Sequence, residues 1–464
     1  SSAVGHKNQP FQLATQLLTD VSTTKQSRLY EKMPPKKSSG SNMSKNQQKK
    51  IAQVYRTIYM QNKLFNNYFK AQYGAERWAS LSAALQKPYT HVALMNPFAV
   101  RRFVEVLLSV PEGKVELFFP ELFGDKVYVR KASDAVGDAK GEERQDDNGS
   151  LVSNSKKVDE EDIDEEDKHA PSLFPPPSQH RAPPHDLYPY YPLDGASLLP
   201  PLFLLPSSRP HSQPLHIWDV CAAPGGKSLY MALDLFGGKV AATASSAGSL
   251  LSSDVSRERK KRLERTLMSY VAPAYSPHMH VACIDGTQRA SIAGVLGEGA
   301  QFDCILIDAP CASERHLLTG NPYIALGEEE EAEAAVRLHK GDIDRMADSE
   351  YLSWASGRSK ANAERQLKLL LNAFPHLKFA ADVSAGEAGG TLVYSTCSIN
   401  RVENDDVIEK FLKKTCSSRR KTGVEYEARV KDVPSLPIGE KTRYGWTILP
   451  DTSGGWGPIY FCVL

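Results

Sequence analysis

Apolar residues recur at helical spacing in the first part of the chain. The apolar positions that share one helical face are Ile51, Val54, Tyr55, Ile58 and Tyr59, and residues 64–69 continue the pattern. The same spacing predicts two further helices, over residues 76–85 and 97–108. Together these segments predict a small N-terminal helical region that spans residues 51–131.

Short apolar runs alternate with helical patterns after residue 185. Strands are predicted over residues 215–220, 240–243, 250–253, 280–283, 302–307 and 391–394, and helices from Lys227 and over 256–270 and 365–379. The continuous apolar run 302–307 is typical of a strand buried on both faces. This alternation predicts an α/β fold with a doubly wound, Rossmann-like parallel sheet across residues 185–464.

Three segments interrupt this pattern. Residues 1–50 are rich in Ser, Thr, Gln and Lys, which fits either an organellar transit segment or a plain disordered tail. Residues 132–184 contain an acidic run at 159–167 and a proline-rich stretch, so a disordered insertion is predicted there. A second acidic insertion is predicted near residues 320–357. Acidic blocks repel RNA, so the first insertion is expected to lie away from any RNA path, whereas the second replaces a segment near the expected RNA entry.

Composition and charge narrow the possible functions. The 464 residues are 41% hydrophobic and 24% charged, which is ordinary for a globular protein. No run of about 18 apolar residues occurs, so no membrane-spanning helix is predicted. The net charge is +1, without the strong basic excess of many nucleic-acid-binding domains. Binding to RNA would therefore need a local basic face, a partner or a folded ribonucleoprotein.

The seven cysteines form no Cys-x-x-Cys pair and no cluster with zinc-ligand spacing, so no metal site is predicted. Free thiols in an odd number fit a reducing compartment. Most free cysteines in proteins are simply packed in the core. The open question is whether any of these thiols takes part in chemistry.

Several motifs follow predicted strands, where α/β sheets bind ligands. Residues 219–228 read DVCAAPGGKS, in which paired glycines lead into a helix N-terminus that lets a ligand approach the backbone. Cys221 stands where a phosphate-binding P-loop needs glycine, which argues against a nucleotide triphosphatase. Asp254 is placed to bind ribose hydroxyls, or to cap a helix. Asp285 and Gly286 follow the next strand.

Two thiols also follow strands. Cys311 ends the sequence DAPC, and Cys397 lies within YSTCS. A thiolate that adds to carbon-6 of cytosine makes carbon-5 nucleophilic enough to take a methyl group, and a second acid/base group then helps to release the product. Asp308 is placed to bind the base edge. Helix N-termini after these strands are expected to lower the thiol pKa values.

At these motifs the chain resembles the Sun-domain (RsmB-like) family of RNA cytosine-5 methyltransferases. The resemblance rests on CAAPGGK at 221–227, DVSRER at 254–259, DGT at 285–287, DAPC at 308–311 and YSTCS followed by EN at 394–404. It implies a class I methyltransferase fold, with Cys397 as nucleophile, Cys311 assisting product release and Asp308 in the catalytic centre. It also implies that S-adenosyl-L-methionine is bound at the positions Cys221, Ala222, Pro224, Gly225, Gly226, Lys227, Asp254, Arg259, Asp285, Gly286 and Asp308. DNA cytosine methyltransferases use the Pro-Cys thiol instead, so Cys397 in its Ser-Thr-Cys-Ser setting favours RNA.

Further sequences, such as Arg315-His316 after the Pro-Cys motif, resemble the mitochondrial ribosomal-RNA member of this family. That resemblance implies ribosomal RNA as substrate, the mitochondrial matrix as location, and a ribosomal subunit precursor and an mTERF-type helical-repeat protein as partners. Two alternatives stay open: a ribosome-assembly factor that uses the fold mainly as a docking scaffold, and a tRNA cytosine-5 methyltransferase. Small residues inserted at 243–250 leave the ribose-binding alignment before Asp254 open.

Overall fold

A computed structural model describes residues 45–108, 114–131, 174, 176–177, 180–182, 184–206, 214–237, 248–297, 299–319, 350–380, 389–422 and 428–464. Several predicted segments lie outside these residues: the tail up to residue 44, most of the insertion 132–184, the strand at 240–243 and the acidic stretch 320–349. No helix within the described residues is long and apolar enough to cross a membrane.

The described residues form helices and strands in the following order. The α-helices are α1 Lys45–Tyr73, α2 Ala75–Leu85, α3 Arg101–Leu108, α4 Pro120–Phe123, α5 Leu199–Leu204, α6 Gly226–Phe236, α7 Arg257–Tyr270, α8 Arg289–Leu296, α9 Glu314–Leu318, α10 Ser356–Ala373 and α11 Asp405–Thr422. The strands are β1 His91–Met95, β2 Lys114–Leu117, β3 Val127–Lys131, β4 Tyr190–Asp194, β5 Leu215–Asp219, β6 Gly248–Asp254, β7 Met279–Cys283, β8 Cys304–Asp308, β9 Thr391–Thr396, β10 Glu440–Lys441, β11 Trp446–Ile448 and β12 Ile459–Val463.

The described residues divide into two compact units, of which one comprises those within 1–86 and 314–358. Its core is aromatic: Phe69 stacks on Trp78 at 4.9 Å between ring centroids, and Phe65 meets Trp354 edge-on at 4.7 Å. Tyr351 and Trp354 are buried, although they fall in the stretch that the sequence assigned to an acidic insertion. The C-terminal end of the predicted insertion is therefore ordered, because two large aromatic side chains are buried there.

The second unit comprises residues 87–313 and 359–464 and begins with a four-stranded antiparallel sheet in the order β2-β3-β1-β4. The predicted helical region 51–131 is thus wrong after residue 86 except for α3 and the short α4. Strand β1 places alternate side chains on opposite faces, since Val92 and Leu94 join one hydrophobic cluster whereas Ala93 and Met95 join another. In so short an apolar run, the spacing of the apolar residues does not distinguish a helix from a strand, so this strand was predicted as part of a helical region.

The larger sheet has eight strands in the order β10-β11-β12-β9-β8-β5-β6-β7. Strands β9, β8, β5, β6 and β7 are parallel, and β12 joins β9 in the antiparallel direction. These strands overlap those predicted at 215–220, 250–253, 280–283, 302–307 and 391–394, so the doubly wound sheet is confirmed. The chain runs outward from β5 through β6 to β7 and then returns to β8. The strand order therefore reverses between β5 and β8, where such sheets bind ligands.

Hydrophobic layers cover both faces of the larger sheet. Adjacent residues of β5 point to opposite sides: Ile217 packs with residues of α5, α6 and α7, and Trp218 packs with residues of α8, α10 and α11. Both side chains are fully buried. The strands are thus sandwiched between two helical layers, which explains why they read as continuous apolar runs in the sequence.

Candidate active site

The first element of the site is the turn that follows β5. Asp219 ends the strand and is fully buried, and the Ser228 hydroxyl donates a 2.6 Å hydrogen bond to its Oδ2. Burial raises the pKa of Asp219 to about 7, against the opposing effect of the Ser228 hydrogen bond. The turn then reaches Gly225, whose φ of 121° is a conformation that favours glycine, and helix α6 begins at Gly226.

An ion pair spans the point at which the strand order reverses. Lys227 Nζ lies 2.6 Å from Asp308 Oδ2, and the Ser395 hydroxyl donates a 2.7 Å hydrogen bond to Asp308 Oδ1. Burial by itself would lower the pKa of Lys227, but the charge and hydrogen bonding of Asp308 outweigh it, so the pKa is raised. Residues from α6, β8 and β9 are thereby joined at the carboxyl edge of the sheet.

The two predicted thiols meet next to this ion pair. Asp308 and Ser395 are paired across the parallel strands β8 and β9, so the residues that follow these strands lie side by side. Cys311 Sγ is 2.9 Å from Cys397 Sγ, and both thiols are free and partly buried. The hydrogen bond with Cys397, and then burial, raise the pKa of Cys311 well above its ordinary value. The expectation of a lowered pKa is therefore wrong for Cys311, because its neighbouring thiol and burial disfavour the thiolate.

A buried carboxyl group holds the loop that carries Cys311. Glu403 Oε2 accepts hydrogen bonds from the Ala312 backbone at 3.1 Å and from Gln366 Nε2 at 2.9 Å, and the same amide group contacts the Pro310 carbonyl oxygen at 2.9 Å. Burial raises the pKa of Glu403, with hydrogen bonding from Gln366 opposing the effect. This network fixes the position of the loop relative to helix α10.

The candidate cofactor residues lie around the same edge. Asp254 ends β6, is almost fully buried, and accepts a hydrogen bond from the Ser256 backbone N–H at 2.9 Å. Arg259 lies 3.4 Å from Asp254 Oδ2 and donates a 2.5 Å hydrogen bond to the Ala223 carbonyl oxygen. Arg259 therefore ties the glycine turn to β6 in this structure. Strand β6 runs without a break from Gly248 to Asp254, whereas residues 243–247 lie outside the described part.

The next strand presents a second carboxylate. Asp285 Oδ1 accepts hydrogen bonds from the Thr287 backbone and hydroxyl, and Oδ2 accepts one from Gln288. Burial alone would raise the pKa of Asp285, but the hydrogen bonds from Thr287 and Gln288 lower it overall. Gly286 fits closely, since an added Cβ would lie 2.8 Å from the Leu369 side chain. Three groups now lie at the same edge of the sheet: Asp254 at the end of β6, Asp285 after β7, and the glycine turn after β5. This set of groups suits a nucleoside-containing ligand.

Of the remaining candidates, Cys221 is partly buried, Ala222 is buried, and Pro224 follows Ala223 through a cis peptide bond in the same turn. No cluster of His, Cys, Asp or Glu with the geometry of a metal site occurs among the described residues. The predicted residues thus lie at one edge of one sheet, and the two thiols that follow β8 and β9 are in contact. That arrangement is the geometry a cysteine-dependent group transfer needs.

Comparison with known proteins places this geometry in a family. The family model described as 16S rRNA methyltransferase RsmB/F matches residues 208–348 and 355–453, which is more than half of the chain. The chain belongs to the RsmB/F family. Among curated proteins, a 5-cytosine rRNA methyltransferase NSUN4 from Xenopus tropicalis is 30% identical over 63% of this chain and 59% of its own length. A mitochondrial tRNA (cytosine(34)-C(5))-methyltransferase from Mus musculus is 28% identical over 59% of this chain and 63% of its own length.

The chain thus spans about 60% of the length of the curated relatives that it matches. Among solved structures, that of NSun6 from Pyrococcus horikoshii with SFG aligns at a TM-score of 0.54 and 16% identity, covering 86% of this chain and 97% of that one. At this identity the likeness concerns the fold alone. It agrees with the Rossmann-like class I methyltransferase sheet expected for RsmB/F proteins.

Sequence reasoning missed three members of the site. Ser313 contacts Cys397, Ser395 contacts Asp308, and Glu403 anchors the loop of Cys311. Glu403 falls in the Glu-Asn pair that formed part of the resemblance, and Ser395 lies two residues before Cys397. Ser313 carries no signal in the sequence, because its role follows from a loop conformation.

Proposed function

We propose that this protein is an S-adenosyl-L-methionine-dependent RNA (cytosine-5)-methyltransferase. The observation that carries the proposal is the pair of thiols Cys311 and Cys397, 2.9 Å apart beside the Lys227–Asp308 ion pair. Membership of the RsmB/F family supports it. So does the chemistry, because methylation at carbon-5 of cytosine needs a nucleophile and a second acid/base group at one place.

Cys397 is the proposed nucleophile. The positive charge of Lys227, which interacts electrostatically with Cys397, favours a negative charge on that sulfur. The thiolate adds to carbon-6 of cytosine, and electron density moves to carbon-5. Asp308, between Lys227 and Ser395, is placed to receive the polar edge of the base.

Cys311 is the proposed partner in product release. Its raised pKa keeps it protonated before reaction, so it is able to give its proton to the departing Cys397 sulfur. Loss of the carbon-5 proton re-forms the double bond between carbon-5 and carbon-6 and breaks the bond from carbon-6 to the Cys397 sulfur. Cys311 gives its proton to that sulfur and takes up the carbon-5 proton in its place. Cys397 thus ends as a thiol, and the proton that it loses on becoming a thiolate again is the one that methyl transfer releases overall.

The proposed cofactor site lies on the other side of the strand reversal. S-adenosyl-L-methionine, when bound, supplies the methyl group as a sulfonium. The turn at Gly225 and Gly226 offers backbone N–H groups at the start of α6, and the carboxylates of Asp254 and Asp285 are placed for hydroxyl and amine groups. Arg259 supports this site through the Ala223 carbonyl oxygen.

The proposal is tested by transfer of labelled methyl groups from S-adenosyl-L-methionine to cytosine-containing RNA. Cys397→Ala should reduce incorporation to background, whereas Cys462→Ala, which changes a buried thiol on β12 that is not among the proposed site residues, should leave it largely unchanged. Cys311→Ala should accumulate enzyme covalently bonded to RNA, because the sulfur–carbon bond no longer receives its proton. Persistence of carbon-5 methylation in Cys397→Ala would refute the assignment.

Ribosomal RNA of the mitochondrion is the proposed substrate. The support is the rRNA methyltransferase named among the relatives and the mitochondrial tRNA enzyme that also matches. The second of these keeps a tRNA substrate as the competing candidate. Bisulfite sequencing of organellar RNA after depletion of the protein distinguishes them, since the lost mark maps either to ribosomal RNA or to a tRNA.

We further propose that the protein acts in the mitochondrial matrix on a ribosomal subunit precursor, with an mTERF-type helical-repeat partner. The net charge of only +1 supports this, because such a chain gains RNA affinity from a partner or a folded ribonucleoprotein. Complementation with Cys397→Ala separates catalysis from assembly. Full rescue of ribosome maturation would favour the scaffold role, and loss of rescue would favour catalysis. Co-purification from mitochondria tests the partner.

A further inference from the structure

A serine hydroxyl lies against both thiols of the site. Ser313 Oγ is 2.9 Å from Cys397 Sγ and 3.6 Å from Cys311 Sγ. With the two sulfurs 2.9 Å apart, the three atoms form a closed triangle. Hydroxyl groups donate hydrogen bonds to thiolates, and a donated hydrogen bond stabilises the charged form of the acceptor.

The backbone conformation at Ser313 directs this hydroxyl toward Cys397. Ser313 has a φ of 47°, in the left-handed region that costs free energy for a residue with a side chain. The preceding residue is held, since the Ala312 N–H donates to buried Glu403, and the Ala309 N–H donates to the Ser395 carbonyl oxygen at 2.8 Å. Both ends of the short loop are therefore pinned, and the strained conformation turns the Ser313 side chain toward Cys397.

The groups around the triangle indicate which of the two sulfurs accepts the hydrogen bond from the Ser313 hydroxyl. Cys311 stays protonated because its pKa is raised, so it acts as a donor toward Cys397. Lys227 lies within electrostatic reach of Cys397, and Asp308 is paired to that lysine. Glu403 interacts electrostatically with Cys311 and further disfavours a thiolate there. The Ser313 hydroxyl is also nearer to Cys397, at 2.9 Å, than to Cys311, at 3.6 Å, so the hydrogen bond is assigned to Cys397.

We propose that Ser313 is a positioning residue that donates its hydroxyl hydrogen to Cys397 and thereby stabilises the Cys397 thiolate and holds it toward the substrate. The catalytic consequence rests on the proposed function, whereas the effect on the thiol itself does not. One donated hydrogen bond to a charged group changes an equilibrium by about tenfold or more.

The test measures alkylation of Cys397 by iodoacetamide, quantified by peptide mass spectrometry from about pH 5 to about pH 9, where thiolate content governs the rate. Ser313→Ala removes the hydroxyl. Ser313→Gly also removes it and relieves the left-handed conformation, and Ser313→Thr keeps a hydroxyl at the cost of more backbone strain. We expect Ala and Gly to shift the reactivity curve to higher pH and to slow alkylation about tenfold on its rising part, with Thr staying near the wild type.

Superimposed curves for the wild type, Ser313→Ala and Ser313→Gly would overturn the inference. A Thr variant that follows Ala while Gly follows the wild type would also overturn it, because backbone strain rather than the hydroxyl would then control reactivity. The experiment distinguishes failure of the proposed methyltransferase function from failure of the proposed role of Ser313. A shifted alkylation curve without RNA methylation by the wild type removes the proposed function alone. Methylation whose pH profile is unchanged in Ser313→Ala removes only the role of Ser313.

Discussion

Replacing Asp219 by Asn should change how the stability of the protein depends on pH. Asp219 is fully buried, and its pKa is raised by burial from the ordinary 3.8 to about 7. Below 3.8 the carboxyl group is protonated in both the folded and the unfolded chain. Between the two values the folded chain binds more protons, so stability falls as pH rises, and the loss is complete above about 7.

The magnitude follows from these two pKa values. Their difference corresponds to roughly 4 kcal/mol of stability lost at high pH, of which roughly 3 kcal/mol is lost between pH 5 and pH 8. Asn cannot ionise and keeps an oxygen that accepts from Ser228. The amide NH2 of the Asp219→Asn variant would take the place of Oδ1, which has no hydrogen-bond partner among the described residues. The buried, unpaired NH2 group should lower the stability of the variant by about 1–3 kcal/mol at every pH.

The measurement is urea unfolding of the wild type and Asp219→Asn at about pH 5 and about pH 8. We expect the stability of the variant relative to the wild type to increase by roughly 3 kcal/mol over this interval. Asp285→Asn is the matched control. The pKa of Asp285 is lowered in the folded chain, so its carboxylate stabilises the fold above pH 3.8 and this stabilisation is lost only as the pH falls through the lowered pKa. The difference in stability between the wild type and Asp285→Asn should therefore be the same at about pH 5 and at about pH 8. Parallel curves for Asp219→Asn as well would refute the reasoning.

Two further perturbations probe the packing around the site. Lys227→Met leaves the partly buried Asp308 carboxylate without its ion-pair partner, so urea unfolding should show a loss of about 3 kcal/mol. The double variant with Asp308→Asn should recover part of that loss, and an additive loss would exclude coupling between the two groups. Gly286→Ala places a Cβ 2.8 Å from the Leu369 side chain and should cost about 1–3 kcal/mol in thermal or urea unfolding. Gly294→Ala in helix α8 meets nothing within 4 Å, so it should stabilise by up to about 1 kcal/mol, and equal effects of the two alanines would contradict the packing argument.

Much of the sheet could be predicted because its central strands β5, β6, β8 and β9 are mostly buried. Five parallel strands read as short apolar runs, and carboxylates or thiols follow several of them, including Asp254, Asp308 and Cys397. Parallel strands end at a common edge, so motifs far apart in the chain meet there. Cys311 and Cys397, whose sulfur atoms are 2.9 Å apart, are one such pair.

Predictions from local sequence patterns were wrong or incomplete where the structure of a short segment depends on its contacts with distant parts of the chain. Strand β1 at His91–Met95 is buried on both faces and is too short to show a period, so it read as part of a helical region. Tyr351 lies in a stretch that was predicted to be an acidic insertion with little apolar periodicity, yet its ring is buried. Its burial depends on aromatic partners in a distant part of the chain, which composition does not reveal.

The thiol site divides in the same way. The sequence by itself predicted the five parallel strands of the larger sheet, the positions of Cys311 and Cys397 after two of them, and the family to which such motifs belong. Only the tertiary structure decided that Cys311 stays protonated, that Glu403 holds its loop, and that Ser313 faces Cys397. A pKa depends on burial and on groups within a few ångströms, and those distances exist only once the strands are packed together.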